Sequence, residues 1–178
     1  QARSEGQVPL LMAECDNTLR IRAIARGAEQ ATSERFDQLL PSGQLAITID
    51  PTRGQRYQGI VPLVEGSLAR SLDAYFLQSE QLGTRFWLAA DADRASGMLI
   101  QQLPADQVKD TSLRSTQWEH VCTLASTLTE PELLELAAPE IAHRLFHEEP
   151  LRLFSPNTVQ FECSCSRERT FNALISLP

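Results

Sequence analysis

The chain has 178 residues, of which 42% are hydrophobic, and its formal net charge at neutral pH is −7. This length is sufficient for one sizeable core, and the composition excludes a disordered chain. The sequence has no cluster of basic residues, no apolar run long enough to span a bilayer and no signal segment, so we expect a cytoplasmic protein with neither nucleic acid nor membrane as a partner. No methionine precedes Gln1, so we expect either a piece of a longer protein or a chain whose beginning was processed away.

Strand patterns dominate the sequence from Val8 to Leu103. Alternation of apolar and polar residues predicts strands at Pro9 to Cys15, Leu19 to Ala23, Leu45 to Ile49, Gln58 to Leu63, Arg85 to Ala89 and Met98 to Leu103. One helix is predicted from Ser67, as N-cap, to Leu82, with Gly83 ending it in a left-handed conformation. We expect the core between this helix and the sheet to contain Tyr57, Tyr75, Phe76, Phe86 and Leu99.

The pattern changes to helical after Pro104. A polar linker is predicted at Ala105 to Arg114, followed by helices at Gln117 to Leu128, Glu130 to Ala138 and Glu140 to His147. Thr129 and Glu132 have capping-box spacing, and Pro131 and Pro139 occupy first-turn positions. Short strands at Pro150 to Phe154 and Val159 to Phe161 and a helix from Ser166 through Ile175 complete an α+β fold: a mixed β-sheet core with a flanking helix, followed by a small helical module.

Cys163 and Cys165 are the candidate site residues with the most definite chemistry. One intervening residue places both sulfurs on one side of an extended strand, where they can bind one metal ion or, with strain, form a disulfide. Structural zinc usually takes four ligands, so the pair alone is an incomplete site. A lone C-x-C motif is equally compatible with two inert thiols, but Arg167 and Arg169 and a helix beginning at Ser166 would favour the thiolate. Cys15 and Cys122 have no second ligand at metal spacing.

Other catalytic and metal motifs are absent from the sequence. His143 and His147 lie one helical turn apart, but the intervening residues do not match the zinc-protease motif, and with His120 they are interpreted as surface or packing residues. The sequence has neither a nucleophile elbow nor a phosphate-binding glycine loop. From the residues alone, the chain is a mixed domain with a thiol pair of undetermined role.

Several segments, in order along almost the whole chain, resemble the 33 kDa heat shock protein family of redox-regulated holdase chaperones. The matching segments are Gly54 to Val61, Leu72 to Phe76 with Ser79 to Leu82, Gly97 to Leu99, the helix with His120, Thr123 and Leu124, Arg144 to Glu149, and Cys163 to Arg169. The family pairs its C-x-C with a later C-x-x-C that this sequence lacks, and it begins with an additional segment before the position of Gln1.

The resemblance implies three regions: a chaperone core at 1–104, a helical linker at 105–155 and the beginning of a zinc-binding redox domain at 156–178. It implies a non-enzymatic, ATP-independent holdase that binds unfolded or partly unfolded client proteins after cysteine oxidation and zinc release. Cys163 and Cys165 would be zinc ligands and redox switch of the complete protein, with the zinc site incomplete in this sequence. Client binding would use linker residues Leu133, Leu134, Leu145 and Phe146. The resemblance is also compatible with a homodimer.

Two other functions remain open at this point. A thiol-disulfide oxidoreductase would use Cys163 and Cys165 directly, although the common redox motif has two intervening residues. A redox-inert protein-interaction domain would leave both cysteines without a role.

Overall fold

The computed structural model describes residues 1–104 and 110–163 together with the single residues Arg167, Phe171 and Ile175. Its strands are β1 (Ala2–Ser4), β2 (Leu10–Cys15), β3 (Arg20–Arg26), β4 (Gly43–Ile49), β5 (Tyr57–Pro62), β6 (Thr84–Ala90), β7 (Ala95–Gln101) and β8 (Gln160–Phe161). Its α-helices are α1 (Phe36–Leu39), α2 (Leu68–Tyr75), α3 (Thr111–Ala125), α4 (Glu130–Glu135) and α5 (Ala138–Phe146). The predicted α+β class is confirmed.

Six strands form one sheet in the order β5-β4-β1-β2-β3-β8, and β6 and β7 form a separate antiparallel hairpin. All pairings within the large sheet are antiparallel except that of β8, which runs parallel to β3. The sheet is therefore mixed, as predicted. Its last strand, β8, follows its partner β3 in the chain by more than a hundred residues.

Helix α2 lies between the large sheet and the hairpin, contacting β4, β5 and β6. The Ser67 hydroxyl accepts a hydrogen bond from the Arg70 amide at 3.1 Å, which confirms the predicted N-cap. The helix continues as a wider turn over Phe76–Glu80 and ends at Gln81, which has a φ of 55°. The prediction that Gly83 provides the left-handed terminus was wrong, because the chain has already reversed at Gln81.

The first hydrophobic cluster lies beneath α2. It comprises the buried residues Ala2, Leu40, Leu45, Val61 and Tyr75, with Phe76 packed at its margin. The Phe76 ring lies 5.5 Å from the rings of both Tyr75 and Phe86, measured between centroids. Three of the five predicted core aromatic and aliphatic residues thus pack as expected.

The other two predicted core residues were placed wrongly. Tyr57 shares the inward face of β5 with Val61 but occupies the first position of the strand, where its side chain remains 44% exposed. Leu99 is 49% exposed because strand alternation directs Met98, not Leu99, toward the neighbouring helices. Their exposure follows from strand position and strand phase.

Several predicted segments also differ from the structure. Helix α3 begins at Thr111, inside the predicted linker, because the Asp110 carboxylate accepts hydrogen bonds from the Ser112 and Leu113 amides. Strand β7 begins at Ala95, so the loop after β6 is shorter than predicted. The predicted strand at Pro150 to Phe154 is absent, and residues 150–159 are exposed there. Most of the predicted helix after Ser166 lies outside the described residues.

Candidate functional site

Helix α4 lies against both strands of the β6–β7 hairpin, α5 packs into the same hydrophobic cluster, and α3 contacts α5; we call α3, α4 and α5 the helical cover. A second hydrophobic cluster joins the two parts. Its buried members are Ala89, Leu128, Leu133, Ile141 and Leu145, and Trp87, Met98, Leu134, Leu136 and Phe146 pack around them. Trp87, Ala89 and Met98 lie on one face of the hairpin, since Trp87 pairs directly with Met98 and Ala89 is two residues further along β6.

Local sequence determines where these short helices begin. Thr129 caps α4, and its backbone amide donates to the Glu132 carboxylate at 2.9 Å in the predicted capping box. At the start of α5, the Ala137 amide donates to the Glu140 carboxylate, also at 2.9 Å. Proline in the first turn of each helix is compatible with this geometry, as predicted.

Polar contacts hold the helices of the cover together. Arg144 Nε lies 2.5 Å from Glu132 Oε1, and an Arg144 Nη atom donates to the Thr127 carbonyl at 3.2 Å. Hydrogen bonds from Thr129, followed by the Arg144 charge, hold the pKa of Glu132 below its ordinary value. Arg94, in the hairpin turn, donates to the Leu134 carbonyl at 3.3 Å. The cover is therefore attached to the hairpin by apolar packing and by hydrogen bonds near its edges.

The four predicted client-binding residues all lie within this cover. Leu133 and Leu145 are each 4% exposed, and Leu134 and Phe146 are half-buried against the same cluster. The folded structure therefore brings these four side chains together but conceals most of their surface. Their role in binding clients remains a prediction.

Sequence reasoning did not identify the residues that complete this cluster. Ile141 lies four positions before Leu145 on α5, and that helical spacing was the available signal. Trp87 and Ala89 lie on the same face of β6, and Met98 pairs with Trp87 from β7. A two-residue period, however, does not reveal which face of a strand will be covered. The contact between the hairpin and the cover depends on tertiary packing, which local sequence patterns do not indicate.

Cys163 lies two residues after the end of β8. The Gln160 and Glu162 amides donate to the Leu19 and Ile21 carbonyls at 3.1 and 3.0 Å. The Glu162 carboxylate also lies 2.8 Å from a guanidinium nitrogen of Arg20. The backbone just before Cys163 is thus anchored to the edge of the core sheet, while the Cys163 side chain is exposed.

The remaining cysteines occupy the elements predicted for them. Cys15 is exposed at the end of β2, and Cys122 is half-buried in α3. Burial raises the pKa of the Cys122 thiol, and Arg85 partly opposes that effect. Cys165 lies outside the described residues, so its distance from Cys163 is untested.

The described residues alone do not assemble a metal site. Over 1–104 and 110–163, no group of three or more His, Cys, Asp or Glu side chains could hold a metal ion. The exposed rings of His143 and His147 stack 5.8 Å apart between centroids, and His120 Nε2 lies 2.9 Å from Glu149. Thiolates suit zinc, but the thiols of Cys163 and Cys165 would supply only two of its usual four ligands.

None of the helices among the described residues is both long and apolar enough to cross a bilayer.

Comparison with known proteins identifies the family. The sequence profile described as Hsp33 protein matches residues 1–178, so the chain belongs to the Hsp33 family. It is 55% identical over 179 aligned positions to the 33 kDa chaperonin of Pseudomonas savastanoi pv. phaseolicola and 54% identical to that of Pseudomonas aeruginosa strain PAO1. Each alignment covers 99% of the chain but 60% of the relative, so the chain spans about three fifths of the curated relatives' length.

The fold agrees with this assignment. The crystal structure of a 33 kDa chaperonin, a heat shock protein 33 homologue from Thermotoga maritima, superposes with a TM-score of 0.76. The match covers 99% of this chain and 63% of that one at 21% sequence identity, so it supports the fold alone.

Proposed function

We propose that this chain forms most of the core and the linker of a cytoplasmic, ATP-independent holdase chaperone that binds unfolding proteins after cysteine oxidation. The observation that carries the proposal is the packing of the helical cover on the β6–β7 hairpin in a chain of the Hsp33 family. A holdase needs apolar surface that is available only on demand, because permanent exposure would promote its own aggregation. The cover is suited to that requirement.

Its construction supports conditional release. Helices α4 and α5 have only six and nine residues, so they are too short to be stable without tertiary packing. They depend on Leu133, Ile141 and Leu145 for burial against a two-stranded hairpin. Loss of that packing would expose the leucines together with Trp87 and Met98, and a client with exposed apolar side chains could replace the lost contacts.

The proposed trigger is the thiol pair Cys163 and Cys165. When bound, zinc would fold the segment around these two ligands, with the remaining ligands supplied from elsewhere in the full-length protein. Oxidation of two thiols to a disulfide by hydrogen peroxide transfers two electrons to the peroxide, which is reduced to water, and leaves sulfurs that no longer bind zinc. The segment would then lose its fold, and with it the anchor beside the core sheet.

An aggregation assay on the full-length protein tests this function. A client diluted from guanidinium should aggregate in the presence of the reduced chaperone. It should remain dispersed in the presence of chaperone that has been treated with hydrogen peroxide. Neither sample contains ATP. Persistent aggregation with the oxidised protein would refute the holdase assignment. The same samples should show no catalytic turnover of a disulfide substrate, which distinguishes a holdase from an oxidoreductase.

Substitution of the cover identifies the binding surface. Leu134→Glu should weaken client holding by the oxidised protein, because a charge in the apolar surface must be desolvated when a client binds. Ala138→Glu is the matched control, since it adds the same charge at an exposed position of α5. Leu145→Glu should act in the same direction, but burial of Leu145 means that it also destabilises the folded protein. Equal holding by both Leu134→Glu and wild type would place the surface elsewhere.

Substitution of the cysteines tests the trigger. Cys163→Ser should allow client holding even in reducing buffer, because the thiolate-held segment could not form. Cys15→Ser provides a control at another exposed thiol. If Cys163→Ser behaves like wild type under both conditions, the inert interaction-domain alternative is favoured.

A further inference from the structure

The turn of the β6–β7 hairpin contacts the end of helix α4 directly. The last paired residues of the hairpin are Ala90 and Ala95, and Arg94 lies in the turn between them. Its Nη1 atom donates to the Leu134 carbonyl at 3.3 Å, across 40 positions of the chain. Carbonyls in the last turn of a helix usually have no partner within the helix, and they carry partial negative charge. A guanidinium suits this acceptor on both grounds.

The Arg94 guanidinium is held in place by Asp91. Its Nε and Nη2 atoms lie 3.1 and 2.9 Å from Asp91 Oδ2. Asp91 Oδ1 accepts the backbone amides of Asp93 and Arg94 at 2.9 and 2.6 Å. These amides, and then the Arg94 side chain, hold the pKa of Asp91 below its ordinary value. Because the turn already orients the guanidinium, its contact with α4 costs little additional side-chain entropy.

Detachment of α4 from the hairpin would expose the apolar surface beneath it. The helix contacts both β6 and β7, and Leu133 is buried in the cluster that α4 shares with Trp87 and Met98. A helix of six residues is not stable without tertiary packing. Helix α4 should therefore unfold when it leaves the hairpin, and exchange of its backbone amides measures how often this happens.

We propose that Arg94, oriented by Asp91, is a latch that holds α4 on the β6–β7 hairpin and sets the fraction of the reduced chaperone in which the apolar surface beneath α4 is accessible to clients. This inference rests on the proposed holdase function and adds a point of control separate from the cysteines. A protein whose binding-competent state is rarely populated binds with an affinity reduced by that fraction. The latch thus limits client binding before oxidation.

Hydrogen exchange of the reduced, full-length protein measures the latch. The Arg94 side chain is half-exposed, so Arg94→Ala should increase exchange at the Leu133 and Leu136 amides roughly twofold to tenfold, the range for one solvated charge-assisted hydrogen bond. Arg53→Ala, in the exposed loop between β4 and β5, is the matched control and should have no effect there. Unchanged exchange in Arg94→Ala would overturn the latch while leaving the holdase function intact. An equal increase in the large sheet would indicate general destabilisation and would also contradict it.

Client affinity should change by the same factor as exchange. The probe is reduced, carboxymethylated α-lactalbumin, which remains unfolded, and binding is measured by fluorescence anisotropy. In reducing buffer, Arg94→Ala should bind the probe more tightly than wild type by the factor found for exchange, because both measurements report the open fraction. After oxidation the two proteins should bind alike, since the cover is then already released.

The two possible failures of this binding test are distinguishable. Faster exchange without tighter binding by reduced Arg94→Ala, when the oxidised wild type does bind the probe, would overturn the regulatory role of the latch. Absence of binding by the oxidised wild type would instead refute the holdase function.

A double-mutant cycle tests whether Asp91 acts through Arg94. Asp91→Asn removes the charge, but asparagine can still accept the two amides of the turn. It should increase exchange at the Leu133 amide by a smaller factor than Arg94→Ala, and the double variant should exchange like Arg94→Ala alone. Additive effects would show that Asp91 stabilises α4 independently of Arg94, which would overturn its positioning role.

Discussion

The carboxylate of Glu162 lies 2.8 Å from the guanidinium of Arg20, although the two residues are separated by 142 positions in the chain. Arg20 also contacts Asp16 in the turn before β3, and hydrogen bonds from Thr18 and Arg20 hold the pKa of Asp16 well below its ordinary value. One arginine thus joins the β2–β3 turn to the residue preceding Cys163. The proposed redox segment is connected to the core at this point.

Removing the Glu162 charge should loosen β8. We expect Glu162→Gln to increase hydrogen exchange at the Gln160 and Glu162 amides roughly twofold to fivefold, the range expected for an exposed ion pair. High salt should reduce the difference between variant and wild type because it screens the pair. Exchange measured by mass spectrometry or NMR provides the test.

The control for this measurement is Glu14→Gln, which removes the carboxylate paired with Arg22 on the neighbouring strand. It should leave the β8 amides unaffected. Faster exchange in both variants would indicate general loosening of the sheet and contradict a specific role for Glu162.

Gly59 is predicted to be essential for the fit of α2 on the sheet. A Cβ atom at this position would lie 2.7 Å from Tyr75 Cε2, and Tyr75 is only 1% exposed. Gly59→Ala should therefore destabilise the protein by about 1–3 kcal/mol, the usual cost of overpacking a core. Urea unfolding followed by circular dichroism measures the change.

A second substitution makes that prediction specific to the contact. In a double-mutant cycle, Tyr75→Leu should make Gly59→Ala less costly, because the smaller side chain leaves room for the new methyl group. Gln58→Ala, at the exposed neighbouring position, should change stability by less than about 0.5 kcal/mol. Additive effects of Gly59→Ala and Tyr75→Leu would show that the clash does not occur.

Local signals in the sequence predicted most elements of the fold. Ser67 and Thr129 specified helix starts through their side chains, and strand alternation located the β2 to β7 segments. The exposure of Leu99 was not predictable in the same way, because alternation separates two faces without showing which one will be covered. Helix α3 began early for a local reason, the Asp110 cap, which the sequence already contained.

The candidate site was less accessible to sequence reasoning. Spacing identified Cys163 and Cys165, whereas Leu133 and Leu145 were named only through the family resemblance. The parallel pairing of β8 with β3 joins residues too distant in sequence for any local pattern to indicate. Family resemblance supplied the redox and holdase interpretation, which local patterns could not provide.

Zinc analysis tests whether the thiol pair suffices as a metal site. We expect the 178-residue chain to hold no tightly bound zinc through Cys163 and Cys165, because two thiolates leave half of a tetrahedral shell to weak ligands. The measurement is zinc content by mass spectrometry after dialysis against a chelator, with the full-length protein as the positive control. One retained zinc per monomeric chain would contradict this expectation.

The final prediction concerns the acid stability of the helical cover. Glu132 joins α4 to α5 by accepting hydrogen bonds from Thr129 and contacting Arg144, and its pKa is lowered in the folded state. A group with a depressed folded pKa stabilises the protein above its ordinary pKa, here 4.5, and that contribution is lost as the pH falls through the lower folded value. Glu132→Gln should therefore lower the Tm at pH 7 and converge with wild type in acid. Glutamine can still complete the capping box, so the difference reports the charge.

Glu135→Gln, on the exposed side of α4, should have little effect on the Tm at either pH. Parallel curves of Tm against pH for Glu132→Gln and wild type would show that this carboxylate does not contribute to the stability of the cover through its charge.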